Sequence, residues 1–133
     1  MDYDLSGEGR SVLLPDGWNV VRVVDVSVGE SKSGNEMYII VTEEPTSGSV
    51  DKTYAITTKG KAWFFRSFVA ACGFVEDENG IYKDVTPEAC IGMSVEAQNK
   101  AEPNEFTRRD GEVVKEMRNK FVLFRPAMEK ATL

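Results

Sequence analysis

Residues 18–28 read WNVVRVVDVSV, dominated by β-branched side chains and interrupted by Asn19, Arg22 and Asp25. A buried helix does not carry polar positions at that density, so the run predicts a long first strand. Pro15-Asp16-Gly17 supplies a turn before it, and GESKSGN over 29–35 a polar loop after it. MYIIVTE at 37–43 predicts a second strand, PTSGS at 45–49 a turn, and VDKTYAIT at 50–57 a third strand. The period then changes. In KAWFFRSFVAAC, residues 61–72, the positions Phe65, Phe68, Val69 and Cys72 form the stripe of an amphipathic helix. Thr57 or Thr58 is placed to cap its start, and Gly73 to end it. Residues 76–84 are acidic and turn-rich, a solvated hairpin or loop. Thr86-Pro87-Glu88 predicts a capped helical turn over 87–91, ended by Gly92. MSVEAQNK at 93–100 alternates and predicts a fourth strand. Residues 101–112 predict a polar loop, and residues 114–124 a fifth strand stopped by Pro126. Residues 1–13, acidic and rich in Gly and Ser, predict a loose arm, and 127–133 a short tail.

Three strands, a helix and two strands predict a mainly β fold. The order matches a five-stranded, partly open OB-fold barrel, with its one helix between strands three and four. A chain of 133 residues suits one such domain, here 14–126, with no disulfide or metal needed to fold. The chain has no histidine, which removes the usual general base and the commonest zinc ligand. Cys72 and Cys90 alone cannot complete a zinc site, and they predict two small buried thiols. The start, MDYDL, is acidic rather than basic-then-apolar, and no stretch is apolar enough for a membrane span. We therefore expect a reduced, cytoplasmic protein without a cofactor. Gly7-Glu8-Gly9 and Lys59-Gly60-Lys61 lack the spacing of a phosphate loop. Asp16, Asp25 and Glu43 lie on or near strands, but no paired-acid motif marks a magnesium-dependent nuclease. A binding module is expected rather than an enzyme.

Residues 15–44 carry a Gly-aromatic start, a strand ending Val-Asp-Val, a Ser-Lys-Ser-Gly-Asn turn and a Met-led second strand. Later come Ala-Ala-Cys-Gly73-Phe74, Ile91-Gly92-Met93, Asn119-Lys120-Phe121 and Phe124-Arg125-Pro126. Over residues 14–126 these features resemble phage-encoded single-stranded-DNA-binding proteins of replication and recombination modules. The resemblance implies an OB-fold that binds and protects single-stranded DNA, with no reaction of its own, in the cytoplasm of a bacterial host. It implies phage or host replication and recombination proteins as further partners. One departure stands out: many such proteins end in an acidic partner-binding tail, whereas this chain ends MEKATL.

The net charge of -6 opposes a DNA partner only if it is evenly spread. It is not. From Lys52 through Val75 there are four bases and no acid, and from Phe106 through Arg125 six bases and three acids. Single-strand binding needs a positive track and aromatic platforms, and OB-folds place these on strands two and three and in two loops. Lys32 tips the first loop, while Phe106, Arg108 and Arg109 occupy the second. If Met37, Ile39 and Val41 point inward, Tyr38 points outward. Tyr54 shares a face with Lys52. Either tyrosine is a stacking candidate, with the barrel core as its alternative. Arg22 on strand one, Lys115 on strand five, and Lys59 with Lys61 at the helix start complete the candidates. Lys115 is opposite in parity to Arg118 and Lys120. Trp18, Trp63, Phe64, Phe65, Phe68, Phe121 and Phe124 are expected mainly in packing. The same charges can also be read as ordinary solvated surface. The net negative charge and the absence of a basic tract favour the alternative of a protein-interaction module on the same barrel that recruits a recombinase, helicase or polymerase. A homodimer through an exposed strand edge is a further expectation.

Overall fold

Alternation of buried and exposed side chains sets the sheet. The computed structural model describes residues 10–127. Its strands are β1 (Gly17–Glu30), β2 (Glu36–Glu43), β3 (Val50–Ile56), β4 (Ser94–Asn99), β5 (Glu102–Thr107), β6 (Val113–Arg118) and β7 (Phe121–Pro126). Two helices, α1 (Trp63–Ala71) and α2 (Pro87–Cys90), lie between β3 and β4. Most of the expected arm and tail, residues 1–9 and 128–133, lies outside the described residues.

Five strands form one antiparallel sheet in the order β3-β2-β1-β4-β7. β1 is long enough to serve both halves: residues 17–22 pair with β4, and residues 22–30 with β2. Its register shifts between Val23 and Asp25, leaving Val24 as an extra residue that bends the strand. Val21, Val23 and Val26 point into the core, where Ile40, Ala55, Val95 and Ala97 meet Phe68 and Val69 of α1.

The chain is mainly β, with a five-stranded sheet and a helix after the third strand, but among the described residues no closed barrel is found. β3 and β7 are the two sheet edges and do not pair. α1 takes the place of a ladder at the β7 edge. Phe64 stacks on Phe124 at 5.3 Å, Phe68 meets the same ring edge-on at 5.3 Å, and the Phe124 N–H donates to Ser67 Oγ at 3.3 Å. The edge amide that a neighbouring strand would have bonded is thus satisfied by a helix side chain.

At the start of the β3 edge the closing element is Asn119. Its Oδ1 accepts from Leu14 N at 2.8 Å and from Asn99 Nδ2 at 3.1 Å. Its Nδ2 donates to Val12 O at 2.8 Å and to the Asp51 carboxylate at 3.2 Å. Ser49 Oγ donates to Val12 O and accepts from Val12 N, and Val50 N donates to Arg10 O. Residues 10–14 are therefore bound to the sheet, including four that the sequence assigns to the arm.

Three expectations need correction. The fifth strand does not run unbroken through 114–124: it splits into β6 and β7 around Asn119 and Lys120, because Asn119 leaves the ladder to make the bonds above. The polar loop 101–112 is instead half of a separate hairpin, β5 against β6. Arg108 N donates to Glu112 O and Gly111 N to Arg108 O, with Gly111 at φ +87°, which closes the turn at Asp110-Gly111. Neither Thr57 nor Thr58 caps α1; the cap position is Ala62, without a side-chain bond. Both threonines are engaged elsewhere, Thr57 Oγ1 with Glu36 and Thr58 Oγ1 with Asn35. The second cap is as expected, with Thr86 Oγ1 accepting from Ala89 N and Pro87 opening α2.

Asn119→Ala removes the side-chain acceptor of Leu14 N and one acceptor of Asn99 Nδ2, and unties Val12 O and Asp51 from the sheet edge. Urea unfolding should show a loss of about 2 kcal/mol, the middle of the range for leaving hydrogen-bond partners unsatisfied. An unchanged midpoint would contradict this role for Asn119.

Candidate nucleic-acid interface

The two unpaired sheet edges leave a groove of about 720 Å³ between them. β3 lines it with Lys52 and Tyr54, the start of α1 with Trp63 and Phe64, and the β6–β7 junction with Arg118 and Lys120. Tyr54 and Trp63 are 54% and 68% exposed, large aromatic surfaces left in water. Trp63 keeps its pose by a tilted contact with Phe64, at 5.8 Å between ring centres. The sequence reading expected Trp63 in packing. It lies one residue after Ala62 at the first turn of α1, on the helix side away from Phe68 and Val69, so its indole is left outside.

The acids around this groove are already engaged. Asp51 accepts from Ser11 Oγ at 2.7 Å and Asn119 Nδ2 at 3.2 Å. Glu102 takes Arg118 at 2.6 Å and Lys120 at 3.2 Å. Hydrogen bonds from Arg118 and then Lys120 hold the Glu102 carboxyl below the usual carboxylate range. One carboxylate against two cations leaves the junction net positive, and both cations stay more than half exposed.

Tyr54 and Lys52 sit where expected, on one face of β3, and across the ladder they neighbour Ile39 and Val41 of β2. The parity of β2 is opposite to expectation. Tyr38, Ile40 and Thr42 are buried, while Met37, Ile39 and Val41 lie half-buried on the outer face. Tyr38 is a core residue and not a stacking platform. Its ring meets Phe65 of α1 edge-on at 4.7 Å, and burial pushes its phenol pKa up. Two large aromatic rings packing together outweigh the preference of a phenol for water. On the outer face Ile39 lies over Gly29, where an added Cβ would stand 2.8 Å from Ile39 Cδ1. The result is an apolar strip beside Tyr54.

The β5–β6 hairpin rises from the groove. Register places Phe106 opposite Val114 and Glu102 opposite Arg118, all on one face of the ribbon. Phe106 is 41% exposed, and Arg108 and Arg109 stand exposed in the turn with no ion pair among the described residues. Lys115 lies on the other face and pairs with Glu105 at 3.5 Å, so the structure separates it from the groove. Arg22 is exposed on β1, opposite both Glu43 and Ser94, away from the β3 edge. Lys32 is exposed in a tight turn, with Ser31 N bonded to Asn35 O. The Thr58–Asn35 bond ties that turn to the segment carrying Lys59 and Lys61, both exposed. Asp16, Asp25 and Glu43 belong to no metal-binding cluster among the described residues. Cys72 and Cys90 are buried free thiols, and hydrogen bonding between them, with burial, pushes the Cys72 pKa up. Among the described residues no helix is long and apolar enough to cross a membrane.

The sequence reading missed Trp63 as a platform and left Arg118 and Lys120 unassigned. Asp110-Gly111 is the signal that could have found the hairpin and, with it, the break that brings Arg118 and Lys120 to the groove. The two tyrosines should separate in stability. Tyr38→Ala is expected to cost about 3 kcal/mol, as for a large core aromatic. Tyr54→Ala is expected to stay within about 0.5 kcal/mol, as for a surface change. Thermal and urea unfolding check both, and equal losses would contradict the burial difference.

No family model matches the chain, and no curated protein matches it in sequence.

Proposed function

We propose that this chain is a non-sequence-specific single-stranded-DNA-binding protein of OB-fold type. It protects exposed strands during phage DNA replication or recombination and carries out no reaction of its own. The observation that carries this reading is the convergence of Tyr54 and Trp63 with Lys52, Arg118 and Lys120 along one open groove. Stacking on exposed rings is sequence-tolerant because every base has a π-face, and a track of cations follows the phosphates. The order of the sheet, the helix after β3 and the shared β1 support the OB reading, with the β3–β7 gap as the opening of a partly open barrel. The β5–β6 hairpin then stands where such folds carry a binding loop, and its turn presents Arg108 and Arg109 as a phosphate clamp.

A net charge of -6 does not prevent this, because exposed charges beyond about 8 Å are screened at physiological salt. The acids nearest the groove are also neutralised by their own partners. The second reading is a protein-interaction module that recruits a replication or recombination enzyme. It is favoured by the net negative charge and by exposed Val75 and Ile81, 84% and 53% accessible.

Fluorescence anisotropy of a labelled thymidine oligomer, at low and physiological salt and against duplex DNA, decides between them. The DNA reading expects salt-sensitive binding to the single strand and weak binding to duplex. Tyr54→Ala or Trp63→Ala should each cost about 1–3 kcal/mol of affinity, the usual value of one stacked base. Arg108→Ala with Arg109→Ala should weaken binding across sequences and flatten the salt dependence. Failure to bind at low salt would leave the interaction module as the reading.

Glu102→Gln gives a test of opposite sign. It frees Arg118 and Lys120 from their carboxylate, so single-strand affinity should rise about threefold and depend more steeply on salt. An unchanged or weaker affinity would remove these two cations from the interface.

A further inference from the structure

A second groove, of about 700 Å³, runs along the other side of the α1 start. Its walls include Lys59, Trp63, Phe65 and Arg66 on one side and Tyr82 and Val85 on the other. Trp63 lines both this groove and the one between β3 and β7, so its indole is the ridge at which they meet. We propose that the second groove is a continuation of the single-strand path, taking the nucleotides that follow the one stacked on Trp63. This inference rests on the single-stranded-DNA reading and extends it to a surface away from the sheet face and the hairpin.

Charge and shape both favour a polynucleotide here. The stretch from Lys52 through Val75 contains four bases and no acid. Lys59 and Lys61 are exposed in the turn before α1, where Lys61 N bonds Thr58 O and Gly60 takes φ +90°. Neither lysine has an ion pair among the described residues. The one acid lining this groove among the described residues, Glu76, is engaged, and so is its neighbour Asp77. Glu76 holds Arg66 at 2.6 Å, and Asp77 accepts from Asn79 N at 2.8 Å and Ile81 N at 2.9 Å, with Lys83 at 3.9 Å. Glu76, which holds Arg66, is joined to Tyr82 by a backbone bridge, so the two walls meet there. The groove therefore offers aromatic surfaces beside one unpaired lining cation, Lys59, with exposed Lys61 two residues along the same turn, the pairing that stacked bases and flexible phosphates require.

The experiment compares oligothymidines of about 4 and about 12 nucleotides, the range one such barrel spans. Wild type, Lys59→Ala/Lys61→Ala and Trp63→Ala are titrated by anisotropy at several salt concentrations, with circular dichroism to show that each variant is folded. The lysine variant should bind the short oligomer as wild type does and the long one several-fold more weakly. Its salt slope for the long oligomer should fall by about 1.4, the loss of two single-strand phosphate contacts. Trp63→Ala should weaken both lengths, because Trp63 serves both grooves. If the lysine variant binds the long oligomer like wild type, or loses both lengths alike, the continuation is overturned while the first groove stands. If the wild-type chain binds neither oligomer, the single-strand reading falls and the continuation with it.

Discussion

The carboxamide of Asn119 is the tie on which the open sheet depends. A five-stranded sheet whose end strands do not pair leaves two rows of backbone groups and the edge of its core open. Asn119 closes one end by joining Leu14, Val12, Asn99 and Asp51. Asn99, only 2% exposed, carries the tie inward by donating to Leu14 O and accepting from Lys120 N. A buried amide such as that of Asn99 is costly unless satisfied, and both it and the half-buried Asn119 find partners on oxygen and nitrogen. The other end is closed by α1, whose phenylalanines cover β7 and whose Ser67 takes an edge N–H.

The same arrangement creates the groove. A β3–β7 ladder would have filled the space now bordered by Tyr54, Trp63 and Lys120. Asn119 interrupts what would be one strand, and the interruption turns Arg118 and Lys120 toward the opening while releasing β5–β6 as a projecting ribbon. Structure and proposed function thus share one cause: the residue that steps out of the ladder stabilises the open sheet and places cations beside it. The charge pattern follows the same economy. The chain is acidic overall, but Asp51, Glu102 and Glu76 are held by neighbouring donors, so the field at the grooves is set by the exposed lysines and arginines.

The elements with strong local signals were legible in the sequence. β1, β2, β3 and β4 announced themselves by β-branched alternation, α1 by its Phe68, Val69 and Cys72 stripe, and α2 by Thr86-Pro87. Tyr54 and Lys52 were also legible, because Lys52 cannot be buried cheaply and parity fixes its partner two residues on. Tyr38 was not. In MYIIVTE both faces of the strand are apolar, so alternation alone does not say which faces the core, and the contact with Phe65 decides it. The hairpin was missed for the reverse reason: EPNEFT has little β-propensity, and it is held by ladder bonds and the pairs Glu102–Arg118 and Glu105–Lys115.

The sequence by itself determined the mainly β character, the position of the helix, the buried thiols and the two basic stretches. Each depends on periodicity or composition within a dozen or so residues. Only the tertiary structure decided that β3 and β7 stay apart, that Trp63 faces water, and that Lys52, Arg118 and Lys120 line one groove. Those outcomes depend on side chains more than 60 residues apart, such as Asp51 and Asn119, finding one another. No local pattern encodes a bond of that span, because its free energy appears only once the rest of the sheet has brought the two groups together.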